Sequence, residues 1–197
     1  MKFVGSYVSL NHIKHCWFAY SIQGNLDSHY YVPQCDPLPT NDWASYQQMT
    51  VPDSTADPIF ISATVLSGVK YGAQPLNPYR DFTTLQPSAT VANSVFVFKG
   101  NFDLKKIAAM LRTQHAEQLL RENRPQDSLD EASAAVALDP QSLYAHISLA
   151  DAYARLQQPV AAQASYQAAL NLASALDRDA RQLWAKRISK RIQAQPR

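Results

Sequence analysis

Glycine is scarce, with five among 197 residues, and the chain has neither a glycine-rich phosphate loop nor a G-x-S-x-G turn. Those absences remove the commonest backbone devices for holding nucleotides or presenting a serine nucleophile. Cysteine occurs only as Cys16 and Cys35, so one internal disulfide at most can form. No apolar run approaches the roughly 18 residues that span a bilayer. The start "MKFVGSYVSLNHIKH" imitates a signal peptide, but its short apolar run breaks at Asn11 and His12 without a small-residue cleavage site. No segment therefore reads as an export signal. Charge of either sign is also sparse: 18 Lys and Arg stand against 16 Asp and Glu, for a net +2. That balance lacks the dense basic face of a nucleic-acid-binding domain, and no nucleic-acid partner is expected.

What is present is ordinary globular composition, 46% hydrophobic and 17% charged, distributed in two unlike halves. Sixteen of the 20 aromatic residues precede Asp103, whereas 21 of the 28 alanines follow Ile107. The shift places a boundary near residues 100 to 107, giving an α/β domain over 1–104 and an all-α domain over 105–197. Charge divides too. Leu176 to Arg197 carries seven basic and two acidic residues, so this tail is +5 and the rest −3.

In the first half, "HCWFAYSI" (15–22), "PIFISATVL" (58–66) and "ANSVFVFKG" (92–100) are rich in β-branched and aromatic residues and nearly continuously apolar. Such runs suit strands buried on both faces, and predict a small, mostly parallel three-stranded sheet covered by helices. A helical segment at 76–87 between the second and third strands completes a right-handed βαβ unit, and residues 2–11 read as a helix feeding the first strand. Between them runs a long, Pro-rich irregular excursion, 23–57.

The second half repeats. Sliding the chain along itself until Ala116 lies on Ala150 also lays Leu119 on Tyr153, Pro125 on Pro159, Ser128 on Ala162, Ala132 on Tyr166 and Ala135 on Ala169. Helices are expected at about 109–122, 126–138, 142–156 and 160–173, with small residues where helices approach closely. A fifth, from Asp177 to Ala194, has Ala180, Leu183, Trp184, Ile188 and Ile192 along one stripe and its basic residues elsewhere, the pattern of a capping helix.

The candidate chemistry is thin, and each element has two readings. Cys16 and Cys35 either pair in an oxidising compartment, closing a loop worth roughly 3 kcal/mol, or stay reduced and packed in a cytoplasm. His12, His15, Cys16 and Cys35 are four candidate zinc ligands, but His-x-x-His-Cys is no familiar grouping and a strand sends His15 and Cys16 to opposite faces. No metal and no cofactor is expected. Tyr30, Tyr31, Trp43 and Tyr46 crowd the excursion, where they either stack on a sugar ring or anchor the loop. Asp27, Asp36, Asp42, Asp53 and Asp57 lie beside turn residues, where Asp commonly caps turns, and define no acid-base pair. Lys186, Arg187, Lys190 and Arg191 either touch anionic lipid or form a solvated face.

The 34-residue period with small residues at these spacings resembles the tetratricopeptide repeat, a stacking helix hairpin. Repeats at 109–142 and 143–176 with a cap at 177–194 follow, and Pro140 in "ALDP" closes the first as in that family. Ser174 replaces the second such proline, and Arg112 and His115 stand where the family has a large aromatic and an aliphatic residue. The resemblance implies a groove lined by Thr113, Glu117, Leu120, Ile147, Asp151, Ala154 and Arg155. Such a groove holds a protein or peptide segment or is filled by the chain's own segments; the Lys, Asn and Arg cluster that clamps a C-terminal carboxylate in some members is missing.

The ordered series "IKHCWFAY", "YYVPQCDPLPT", "PIFISATVLSG", "LNPYRDF" and "SVFVFKGNFDL" resembles the soluble C-terminal region of bacterial membrane glycosyltransferases of the dolichyl-phosphate-mannose mannosyltransferase type. That resemblance implies an extracytoplasmic accessory domain, with transfer chemistry and membrane attachment upstream of Met1, and favours the Cys16–Cys35 disulfide. The leading expectation is a non-catalytic interaction module; the alternative is a glycosyltransferase accessory domain that contacts a sugar or acceptor through Tyr30, Tyr31 and Trp43.

Overall fold

The computed structural model describes residues 1–21, 30–40, 49–72 and 76–194, which fall into two compact units, Met1–Ile107 and Ala108–Arg197. In chain order the elements are α1 (Lys2–Leu10), β1 (Cys16–Ala19), β2 (Cys35–Pro37), β3 (Ser54–Thr55), β4 (Ile59–Ser62), α2 (Ala63–Leu66), β5 (Ala89–Val91), β6 (Val95–Phe98), β7 (Phe102–Asp103), α3 (Lys105–Arg121), α4 (Pro125–Leu138), α5 (Leu143–Arg155), α6 (Pro159–Ser174) and α7 (Arg178–Gln193). A sheet region thus precedes a run of helices. No helix among the described residues is long and apolar enough to cross a membrane.

The sheet differs from the three-stranded parallel expectation. It has five strands in the order β2-β1-β4-β6-β5. Strand β1 runs parallel to β2 and β4, but β4 pairs antiparallel with β6 and β6 with β5. The expected βαβ crossover is absent because β6 opposes β4, and within 76–87 the chain forms a short 3-10 turn, Arg80–Thr84. Two strands escaped the apolar pattern for identifiable reasons. Strand β2 comes from the Pro-rich excursion, where Pro37 is tolerated because β2 is an edge strand and needs no outward donor. Strand β5 joins β6 through a tight reversal in which Ala92 and Asn93 adopt φ of 50° and 54°, and alanine carries no turn signal for that conformation. Strand β4 also ends earlier than expected, since the Ser62 hydroxyl accepts from the Val65 amide and starts α2.

Burial on both faces explains the continuous apolar runs. Phe18, Phe60, Val95 and Val97 pack with Val4 and Val8 of α1, while their neighbours Ile59, Ile61 and Phe98 are equally buried and, by the pleat, face the other way. There Phe82 meets Phe98 edge-on at 5.2 Å, and Tyr79 donates to the Pro39 carbonyl at 2.6 Å. Cys16 and Cys35 are register partners on β1 and β2 and form a disulfide across that edge of the sheet.

Helix α1 seats closely against the segment at Tyr31. A Cβ at Gly5 would stand 2.5 Å from the Tyr31 carbonyl oxygen, a backbone atom that cannot swing aside. Gly5→Ala is expected to lower stability by about 1–3 kcal/mol despite alanine's better helix propensity, read as a fall in urea midpoint.

In the helical unit the turns repeat with the same period as the sequence. Asn123 and Gln157 take left-handed φ of 59° and 57°, and Pro125 and Pro159 open α4 and α6 at the position where a missing N–H costs nothing. The aligned residues Ala116, Ala150, Ser128, Ala162, Ala132, Tyr166, Ala135 and Ala169 are all buried at 2% exposure or less. Small side chains are what close helix approach requires, so the alanine-rich composition follows from packing. Ser142 and Asp177 cap α5 and α7 by accepting from the Ala145 and Ala180 amides.

Candidate functional site

Two pairs of contacts fix how α7 lies. Tyr144 meets Trp184 edge-on with centroids 5.0 Å apart, and Asp151 is ion-paired with Arg191. The step along the chain from Tyr144 to Trp184 equals that from Asp151 to Arg191, so each helix advances by the same two turns between its contacts. Helices α5 and α7 therefore run parallel and side by side. The basic residues of α7 do not share one solvated face: Trp184, Arg187, Ile188 and Arg191 fall on one stripe, with Arg187 4.9 Å over the Trp184 ring. Trp184 and Ile188 are buried, whereas Leu183 and Ile192 of the expected apolar stripe are 47% and 36% exposed.

Asp151 is the anchor of this face. It accepts from the Tyr166 hydroxyl of α6 at 2.5 Å as well as from Arg191, so one carboxylate ties three helices together. Glu117, its counterpart in the preceding repeat, sits half-buried on α3. Burial pushes its carboxyl above the usual range, against the pull of Arg191 and then Arg121. Burial likewise raises Tyr144, opposed by Arg187 and reinforced by Glu117. Glu117 thus feels the charges of Arg191 and Arg121, and Tyr144 those of Arg187 and Glu117.

Of the remaining residues expected to line a groove, Arg155 is exposed and Leu120 and Ala154 are half-buried. Thr113 and Ile147 are only 4% exposed; the Thr113 hydroxyl donates to the Ala109 carbonyl at 2.8 Å, and both serve packing. Tyr144, Trp184, Arg187 and Arg191 join the face without having been anticipated there. Repeat alignment finds equivalent positions, whereas these contacts join α5 to α7, which lies outside the aligned residues.

The sheet unit holds a separate titratable cluster. His15, just before β1, lies between two carboxylates, with Nε2 3.0 Å from Asp36 on β2 and Nδ1 2.8 Å from Asp57 ahead of β4. The Thr55 hydroxyl receives the Trp17 indole N–H at 3.1 Å and the Asp57 amide at 3.1 Å, which orients the second carboxylate. The hydrogen bond to Asp36 is the main cause of a raised His15 pKa; partial burial opposes it and Asp57 adds to it. Folding therefore favours imidazolium, and its stabilisation is complete below the ordinary value of 6.5 and lost as pH rises through the raised one. His15→Gln is expected to remove that slope: between about pH 5.5 and about pH 8.5 the wild type loses urea stability relative to the variant, and parallel curves would contradict it.

Cys16 and Cys35 are spent on each other, which removes two of the four ligands of the zinc grouping considered from sequence. Among the described residues no cluster of three His, Cys, Asp or Glu could hold a metal ion. Tyr30 is 82% exposed and stacks edge-on against half-buried Tyr31 at 5.0 Å; Trp43 lies outside the described residues, as do Tyr46, Asp27 and Asp42. An open cleft of about 730 Å³ between Arg80–Leu85 and Asn101–Asp103 was not foreseen, and its Asp81 is held by Lys106 at 2.5 Å.

Comparison with protein-family models, with curated proteins and with solved structures finds no match for this chain.

Proposed function

We propose that the helical unit is a non-catalytic docking module of the tetratricopeptide type, binding a protein or peptide segment on the face shared by α3, α5 and α7. The observation that carries this reading is the parallel placement of α7 beside α5, which lines up Tyr144, Asp151 and Arg155 with Trp184, Arg187 and Arg191. A face of this kind offers the half-buried Tyr144 ring to an apolar side chain and guanidinium groups for fixing register, the division of labour found where peptides are read. Asp151 and Arg191 neutralise each other and hold the face together, while exposed Arg155 and Arg187 are placed to meet a ligand. The test is selection of binding peptides from a random library on the whole chain, followed by titration of Arg155→Glu and Arg187→Glu. Each charge reversal is expected to weaken the selected peptides about ten-fold or more. Peptides that bind both variants as well as wild type would place the contact elsewhere.

A second reading concerns the sheet unit: an extracytoplasmic accessory domain of a membrane glycosyltransferase. The disulfide favours it, because such bonds persist in oxidising compartments, and exposed Tyr30 offers a ring for a sugar to stack on. Saturable glycan binding lost in Tyr30→Ala would support it; glycan binding indifferent to that change would remove the contact proposed.

A further inference from the structure

The outward face of α1 is unlike the rest of the sheet unit's surface. Val4 and Val8 turn into the core, and opposite them Phe3 and Leu10 are 69% and 80% exposed. Two helical turns separate them, so they share one stripe about 10 Å long, with Ser6 between them. The Tyr31 carbonyl lies against Gly5, about 150° around the helix from that stripe, so α1 is seated on the unit by the side away from Phe3 and Leu10. Among the described residues of this unit four large apolar side chains are more than two-thirds exposed, and two of them, Phe3 and Leu10, share this one helix. Charge separates this patch from an ordinary protein-binding surface. Residues 1–14 hold no Asp or Glu, and Lys2 and Lys14, both exposed, precede and follow the stripe along the chain, while Asp36 and Asp57 are taken up by His15. Apolar side chains projecting from a short helix, with lysines before and after them, are the features by which a helix lies in the headgroup region of an anionic bilayer.

We infer that the α1 face, through Phe3 and Leu10 with Lys2 and Lys14, is a peripheral docking surface for an anionic lipid membrane. Phe3 and Leu10 enter the headgroup and acyl boundary, and the lysines meet lipid phosphates. The disulfide-stapled sheet behind α1 keeps the helix formed before contact, so binding carries no cost of folding it.

The experiment is sedimentation of the whole chain with phosphatidylcholine vesicles, with and without about 30% phosphatidylglycerol. Wild type is expected to pellet with the anionic vesicles and far less with the neutral ones. Phe3→Ser/Leu10→Ser, whose positions are exposed and whose folding is checked by circular dichroism, is expected to bind at least about ten-fold more weakly. Lys2→Gln/Lys14→Gln should weaken anionic binding by about 30-fold, near five-fold per lysine. Three results overturn the inference: no pelleting at millimolar lipid, pelleting unchanged in Phe3→Ser/Leu10→Ser but lost in Lys186→Glu/Lys190→Glu of α7, or self-association through Phe3 and Leu10 without vesicle binding, which would make the face a protein contact.

Discussion

Replacing both Cys16 and Cys35 with alanine lowers the unfolding free energy by about 3 kcal/mol. The two residues are 19 apart in sequence, and the bond closes a loop whose entropy the unfolded chain would otherwise regain. It also staples β2, an edge strand of three residues, to β1, where backbone pairing alone holds only one side. Both cysteines are fully buried among Phe18, Val32 and Phe60, and alanine fills their place without leaving a buried polar group. Urea unfolding with and without reductant measures the effect. Wild type should lose the same stability on reduction and the double variant should be insensitive. Equal curves for oxidised and reduced wild type would mean that the sheet does not depend on the bond.

Removing the Asp151 carboxylate is the second large effect. Asp151→Ala takes a charged acceptor from the Tyr166 hydroxyl, whose residue is 2% exposed, and leaves Arg191 without its partner. A hydrogen bond to a charged group contributes about 1.5–3 kcal/mol and the cost of keeping the donor from water adds to it, so a loss of about 2–4 kcal/mol is expected. Arg191→Ala should cost far less, within about 1 kcal/mol, because its side chain is 48% exposed against 19% for Asp151. The order of the two is the informative part. Far-UV circular dichroism in urea gives both values, and an Arg191 effect equal to that of Asp151 would mean the ion pair, not the Tyr166 bond, holds the three helices.

The two units were legible to different degrees, for physical reasons. Helix repetition is local: Pro125 and Pro159, Asn123 and Gln157, and the buried alanines are each specified within a single turn or contact, so a fixed offset exposes them in sequence. Sheet topology is not local. The runs at 58–66 and 92–100 contain real strands, but nothing within them says that β6 runs against β4, because apolar continuity reports burial on both faces and carries no direction. Strand β2 hid among prolines that an edge tolerates, and β5 behind an alanine in a left-handed turn. The same contrast holds for the sites. Glu117, Asp151 and Arg155 are named by the tetratricopeptide resemblance, whereas His15 meets Asp36 and Asp57 across 21 and 42 residues, and Asp151 reaches past the whole of α6 to Arg191. Only the folded chain reveals such pairs.

The central claim is that the α3, α5 and α7 face docks a protein segment. The direct measurement is a heteronuclear NMR titration of the isotopically labelled whole chain with a library-selected peptide. Shifts concentrated at Tyr144, Arg155, Trp184 and Arg187, saturating with peptide, are the expected result. Shifts confined to residues of Met1–Ile107, with the helical unit unmoved, would contradict it.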